Sequence, residues 1–204
     1  MPENILHIDS SILGAQSVSR KLSREIVDKL LVRHPSAHVV YRDLDAQPLA
    51  HLTSAQIHAF QTGSPHGDAD IQADLSLGAA DLEAFLAADT VVIGVGFYNL
   101  GVASHLKAWI DRISVPGKTF RYSDSGPVGL VNGKRIILAI ARGGRYEAGT
   151  PAAALEHAET HLRSGFALMG VTEVQAIAAD GVALGPDARL ASIAAAEERI
   201  AELT

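Results

Sequence analysis

No cysteine occurs among the 204 residues. Disulfides, thiolate metal sites and cysteine nucleophiles are therefore excluded. No apolar stretch approaches the ~20 residues of a membrane-spanning helix. The opening Met1-Pro2-Glu3-Asn4 puts no basic segment before an apolar one, and Asp9 soon interrupts the first apolar run. Basic runs are missing too, and the formal net charge is −6, which disfavours a nucleic-acid partner. A soluble cytoplasmic protein with neither a membrane nor a nucleic-acid partner is expected. Charged residues make up only 20% of the chain against 48% hydrophobic ones, a balance that fits a globular protein rather than a disordered one. The length suits a single domain over residues 1–204 with a proper core.

The common catalytic signatures fail one after another. Gly94-x-Gly96-x-x-Asn99 is one residue short of a dinucleotide fingerprint and follows the third strand-like run rather than the first. Gly117-Lys118-Thr119 resembles the end of a nucleotide P-loop, but Arg112 stands at the required upstream glycine position. His157 and His161 are four apart, yet the glutamate between them is Glu159, so the zinc-protease pattern is broken. The other histidines show no metal-like spacing, and no Gly-x-Ser-x-Gly elbow exists. No catalytic side chain is assigned and no metal is expected. A bound organic cofactor becomes the expected source of any chemistry.

Two periodicities alternate along the chain. Strand-like runs fall at residues 5–9, 38–42, 90–95, 135–141 and 171–178. Between them lie helical stretches. One begins at Ser19, with Leu22, Ile26, Val27, Leu30 and Leu31 on one face. Two more cover 54–61 and 74–87, joined by the Gly/Pro/His segment 63–67. Another begins near Ser104, with Leu106, Trp109, Ile110 and Ile113 spaced as one apolar stripe. Thr150-Pro151 supplies an N-cap and a first-turn proline for a helix that Gly170 stops, and a last helix follows Pro186. Five strands alternating with helices predict an α/β fold, a parallel sheet covered on both faces.

Residues 115–134 break the alternation, whereas ordinary connections run to roughly 4–6 residues. The excursion holds Lys118-Thr119-Phe120-Arg121-Tyr122 and the turn signals Asp124-Ser125-Gly126-Pro127 and Asn132-Gly133. It reads either as a functional aromatic arm or as a surface hairpin covering the sheet edge.

Three loops follow apolar strands and carry the candidate chemistry. Residues 10–19 hold a serine-rich entry to the first helix. A helix N-terminus and seryl hydroxyls together can hold a phosphate dianion without a lysine, at roughly 1.5–3 kcal/mol per charge-assisted bond. Alternatively, Ser17 or Ser19 simply caps that helix. Gly96-Phe97-Tyr98-Asn99-Leu100-Gly101 brackets an aromatic pair and an amide with glycines, suited to a flat ligand. Ala141-Arg142-Gly143-Gly144 is the third loop. In an open parallel sheet all three open on one edge, within reach of one ligand.

Taken with Ser104-His105-Leu106-Lys107-Ala108-Trp109-Ile110-Asp111, Gly117-Lys118-Thr119-Phe120-Arg121-Tyr122 and Gly170-Val171-Thr172-Glu173-Val174, these loops resemble the FMN-dependent NADH:quinone oxidoreductases and azobenzene reductases over nearly the whole chain. The resemblance implies a flavodoxin-like sheet of order 2-1-3-4-5, non-covalent FMN at the strand ends, and a homodimer. It implies NADH or NADPH as electron donor and a quinone or azo compound as acceptor. Carried over by position, Ser11, Ser17, Val18 and Ser19 would hold the FMN phosphate. Phe97, Tyr98, Asn99 and Leu100 would contact the isoalloxazine, while Ala141, Arg142, Gly143 and Gly144 would line its polar edge through main-chain groups. Phe120 and Tyr122 would wall the substrate pocket. Where the family commonly has Pro-Met before Tyr-Asn, this chain has Gly96-Phe97, which adds aromatic bulk beside the flavin. Ala141 stands where serine is frequent and Val18 where a polar residue is usual, and both retain a backbone N–H. A flavodoxin-type carrier of single electrons is the alternative, against which the long excursion and the modest net charge weigh.

Overall fold

The computed structural model describes residues 3–62 and 69–204. β1 (Asn4–Asp9) is followed by α1 (Val18–Arg33), β2 (His38–Asp43), α2 (Ser54–Thr62), α3 (Ala69–Ala87), β3 (Thr90–Tyr98), β4 (Gly101–Val102) and α4 (Ser104–Ile113). Then come β5 (Phe120–Ser123), β6 (Gly126–Gly129), β7 (Arg135–Arg142), α5 (Ala158–Leu168), β8 (Glu173–Asp180) and α6 (Pro186–Ala201). The main sheet runs β2-β1-β3-β7-β8, all parallel, with β4 added antiparallel to the end of β3. Counting only the parallel strands, this is the expected order 2-1-3-4-5. The segment 63–67 lies outside the described residues.

Central strands of a sheet covered on both faces are apolar on both faces. Val91, Ile93 and Val95 of β3 and Ile136, Leu138 and Ile140 of β7 join one core with Phe85, Leu106, Trp109, Ile113 and Phe166. Their neighbours Ile5, Val92, Ile137 and Ile177 point the other way, onto Leu22, Ile26, Val27 and Leu30 of α1 and Ala196 and Ile200 of α6. The stripes read in the sequence on α1 and α4 are thus the faces that dock. Trp109 meets Phe85 edge-on at 5.9 Å between ring centres.

The excursion forms the β5–β6 hairpin, fastened to the body at its base. Gly129 lies so close to Gly170 that a Cβ on Gly129 would meet the Gly170 nitrogen at 2.2 Å. The Val131 N–H donates to the Met169 carbonyl at 2.9 Å.

Three boundaries differ from expectation for physical reasons. β3 continues to Tyr98 because Phe97 and Tyr98 pair with Val102 and Gly101, so the expected loop is a tight hairpin. α3 begins at Ala69 rather than residue 74. Thr150-Pro151 does not start α5: a short 3-10 turn at Ala153–Leu155 follows, and the helix begins at Ala158. There the Glu156 carboxylate accepts from the Ala158 and Glu159 N–H groups at 3.2 and 3.0 Å and takes the capping role.

Candidate functional site

The carboxyl ends of β1, β3 and β7 converge on one cleft of about 240 Å³. From the first loop, Ser11, Ser17, Val18 and Ser19 line it; from the second, Phe97 and Tyr98; from the third, Ala141 and Gly143. Ser17 caps α1, its hydroxyl accepting from the Arg20 N–H at 3.3 Å while lying 3.1 Å from the Ser19 hydroxyl. Capping and ligand binding are therefore compatible. Val18 and Ser19 open the helix, and their N–H groups have no carbonyl four residues back within it, so the cleft ends on a positive helix terminus.

Tyr98 ties the second loop to the first. Its hydroxyl is 3.1 Å from the Ser11 hydroxyl and accepts from the Ile12 N–H at 3.2 Å. Its ring folds back over Gly96, where a Cβ would meet the ring at 2.5 Å. The glycine is what lets the tyrosine lie there. Asn99 (φ 47°) and Leu100 (φ 71°) then make the hairpin turn in the left-handed region. Asn tolerates this conformation, but for leucine it costs roughly 1–2 kcal/mol. The turn is held by the Leu100 carbonyl, which accepts from the His157 N–H at 3.1 Å.

Several expected contacts stand outside the cleft within one chain. Asn99 lines a neighbouring, more open groove of about 740 Å³, together with Ser104, His105, His157 and His161. Leu100 and Gly144 line neither space. Arg142 alternates to the opposite side of β7 from Ala141. There it is buried among Asp180 (3.2 Å), Glu159 (3.0 Å) and Glu156 (3.3 Å). Burial alone would lower its pKa, but these carboxylates outweigh that and raise it. Phe120 is buried in the hairpin base and packs edge-on against Tyr122 at 5.4 Å, while Tyr122 is 74% exposed. Neither ring reaches the cleft of its own chain.

Other residues enter the site that the sequence did not flag. Gly181 and Val182 donate to the Arg142 carbonyl, Gly181 also to that of Gly144, and Ala183 to that of Gly143, all at 2.8–3.1 Å. This lacing brings Val182 and Ala183 into the cleft wall. Tyr146 packs on Phe97 with ring centres 4.7 Å apart. Gln16 and Arg189 complete the helix-terminus end. Beneath it, Arg20 pairs with Asp43 at 2.6 Å, and that hydrogen bond draws the Asp43 pKa down to about 2. Among the described residues no group of acids and histidines is arranged to hold a metal, and no helix is long and apolar enough to cross a membrane.

The arrangement suits a flat, phosphorylated ligand: hydroxyls and helix N–H groups at one end, aromatic and backbone surfaces at the other. The family model for the flavodoxin-like fold matches residues 3–204. An FMN-dependent NADH:quinone oxidoreductase of Bradyrhizobium sp. (strain BTAi1) is 54% identical over 199 residues, 98% of each chain. One from Methylorubrum extorquens (strain PA1) is 51% identical over 199 residues, again 98% of each. Among solved structures, an azoreductase from Bacillus anthracis str. Sterne superposes with a TM-score of 0.87 at 31% identity, covering 98% of this chain and 97% of the other. With the fold, the converging loops and full-length relatedness all in agreement, the chain belongs to the flavodoxin-like family of FMN-dependent NADH:quinone oxidoreductases.

Proposed function

We propose that this protein is an FMN-dependent oxidoreductase that passes electrons in pairs from NADH or NADPH to a quinone or azo compound. The observation that carries the reading is the convergence of the three strand-end loops on one cleft that begins at the amino end of α1. FMN fits it in chemical character. The hydroxyls of Ser17 and Ser19 and the N–H groups of Val18 and Ser19 offer donors for the phosphate dianion. Phe97, Tyr98 and Gly96 offer a surface for the ring, and Ala141 and Gly143 its polar border. FMN, when bound, supplies the two-electron chemistry that no side chain here provides.

The residues therefore bind and orient. Tyr98, fixed to Ser11 and Ile12, keeps the ring-side loop in register with the phosphate-side loop. Phe97 and Tyr146 form an aromatic wall that excludes water from one side of the cleft. No side chain is given an acid or base role, and none of the cofactor's chemistry is assigned to a metal. A homodimer in the cytoplasm, with no nucleic-acid or membrane partner, completes the proposal. In it, the Phe120–Tyr122 arm of one copy walls the acceptor pocket of the other, which gives a role to a tyrosine that is largely exposed in its own chain. No observation favours the single-electron carrier, and the curated relatives bear oxidoreductase names.

The test is steady-state kinetics with NADH and a soluble quinone. Donor and acceptor must use the same opening in turn, so initial-rate plots are expected to be parallel. Intersecting lines, with a ternary complex trapped by a dead-end donor analogue, would contradict the shared opening.

A further inference from the structure

We propose that Arg189 is a phosphate-binding residue of this cleft, a cation delivered from α6 that selects the phosphorylated flavin over its unphosphorylated form. The inference rests on the FMN reading above and adds to it a residue outside the three loops.

Arg189 lines the cleft and is half-buried there. Its Nη2 donates to the Gln16 carbonyl at 3.2 Å, which sets the guanidinium beside Ser17, the cap of α1. A guanidinium carries five N–H donors, and this contact uses one. Among the described residues no carboxylate lies within ion-pair distance of it. Two neighbouring cations of α1 are engaged. Arg20 is paired with Asp43 at 2.6 Å and donates to the Ser11 carbonyl at 2.8 Å. Lys21 bridges Glu25, at 2.7 Å, and Glu197. Among the described residues that line this cleft, Arg189 is the cation, and no carboxylate compensates its charge.

Its mounting is rigid. The Arg189 N–H donates to the Gly185 carbonyl at 3.0 Å in the first turn of α6, so the stem leaves a helix rather than a loop. A planar guanidinium matches two phosphate oxygens at once, which an ammonium does not. The charge also answers a global problem. A chain of net charge −6 repels a dianion at long range, and a local cation at the cleft end offsets that field.

Wild type, Arg189→Gln and Arg189→Lys, each loaded with FMN or with riboflavin, are diluted, and the released flavin is measured by its regained fluorescence. Arg189→Gln is expected to release FMN with a dissociation constant roughly tenfold higher, given partial solvent screening of a charge-assisted contact, and to leave riboflavin release unchanged. Its FMN affinity should also depend less on salt than wild type's, and Arg189→Lys should recover part of the loss. Equal weakening of both flavins, or no change in FMN release, would overturn the role of Arg189. If wild type itself holds riboflavin as tightly as FMN, the phosphate assignment of the cleft fails, and this inference with it.

Discussion

Replacing Arg142 by methionine probes what holds the third loop in place. The arginine side chain is 4% exposed and reaches Asp180, Glu159 and Glu156 at 3.0–3.3 Å. Without it, three carboxylates face one another across the end of β7, and Glu156 loses the partner that steadies it as the cap of α5. Removing one member of a buried ion pair costs roughly 3–5 kcal/mol. Glu159 is 26% exposed and Asp180 17%, so water relieves part of that repulsion. The expected loss is therefore at the lower end, about 3 kcal/mol. At roughly 2–4 °C per kcal/mol for a chain of this size, Tm should fall by about 6–12 °C. The deficit should also depend on pH. Burial pushes the Asp180 carboxyl up, and Arg142 opposes that push in wild type. In the variant the opposition is gone, so folded Asp180 binds its proton at a pH where the unfolded chain does not. The variant's stability relative to wild type must then improve as pH falls toward the carboxylate range. Urea unfolding of both proteins at neutral and mildly acidic pH measures this. A loss below about 1 kcal/mol at neutral pH, or a deficit that widens on acidification, would refute the reasoning.

Three further variants have expected outcomes. Ser17→Ala should lose about 1 kcal/mol of stability in urea through the missing cap of α1 and should weaken FMN binding while barely altering riboflavin affinity. Ser19→Ala should show the same selective loss of FMN affinity while keeping the cap, and equal weakening of both flavins in either variant would contradict the phosphate contacts. His7 is buried against Ser23 at 3.0 Å, and burial lowers its pKa below the usual 6.5. The unfolded chain takes up that proton first, so the stability is present above pH 6.5 and is lost as pH falls from there toward the folded value. His7→Asn should flatten the decline of Tm over that window, and an unchanged slope would show that other groups cause it.

Much of the fold can be read from periodicity because single elements announce themselves. Leu106, Trp109, Ile110 and Ile113 share one helical stripe, and the run from Thr90 to Val95 is apolar on both faces as a central strand must be. Ser11, Ser17, Val18, Ser19, Phe97, Tyr98, Ala141 and Gly143 could be placed near one another because strand ends of a parallel sheet share an edge. What stayed hidden depends on orientation and on distant pairing. Arg142 sits one residue from Ala141, and strand alternation turns it away from the cleft toward acids on β8 and α5. Val182 and Ala183 enter only through backbone bonds to the β7 loop, and Arg189 only through the way α6 docks beside α1. The start of α5 is hard to read because Thr150-Pro151 gives the stronger capping signal, whereas the residue that caps the helix is Glu156, held by Arg142 of β7. Phe120 and Tyr122 sit on a hairpin arm that does not line the cleft of its own chain.

Loaded with FMN, this cleft is proposed to take an electron pair from NADH and give it to a quinone. Anaerobic mixing of the FMN-loaded protein with NADH tests this most directly, followed by addition of a soluble quinone. One equivalent of NADH per bound FMN is expected to bleach the flavin colour, and one equivalent of quinone to restore it with no protein partner present. Protein that binds FMN yet is not bleached by NADH or NADPH, or that is bleached and cannot return the electrons to a quinone, would contradict the proposal.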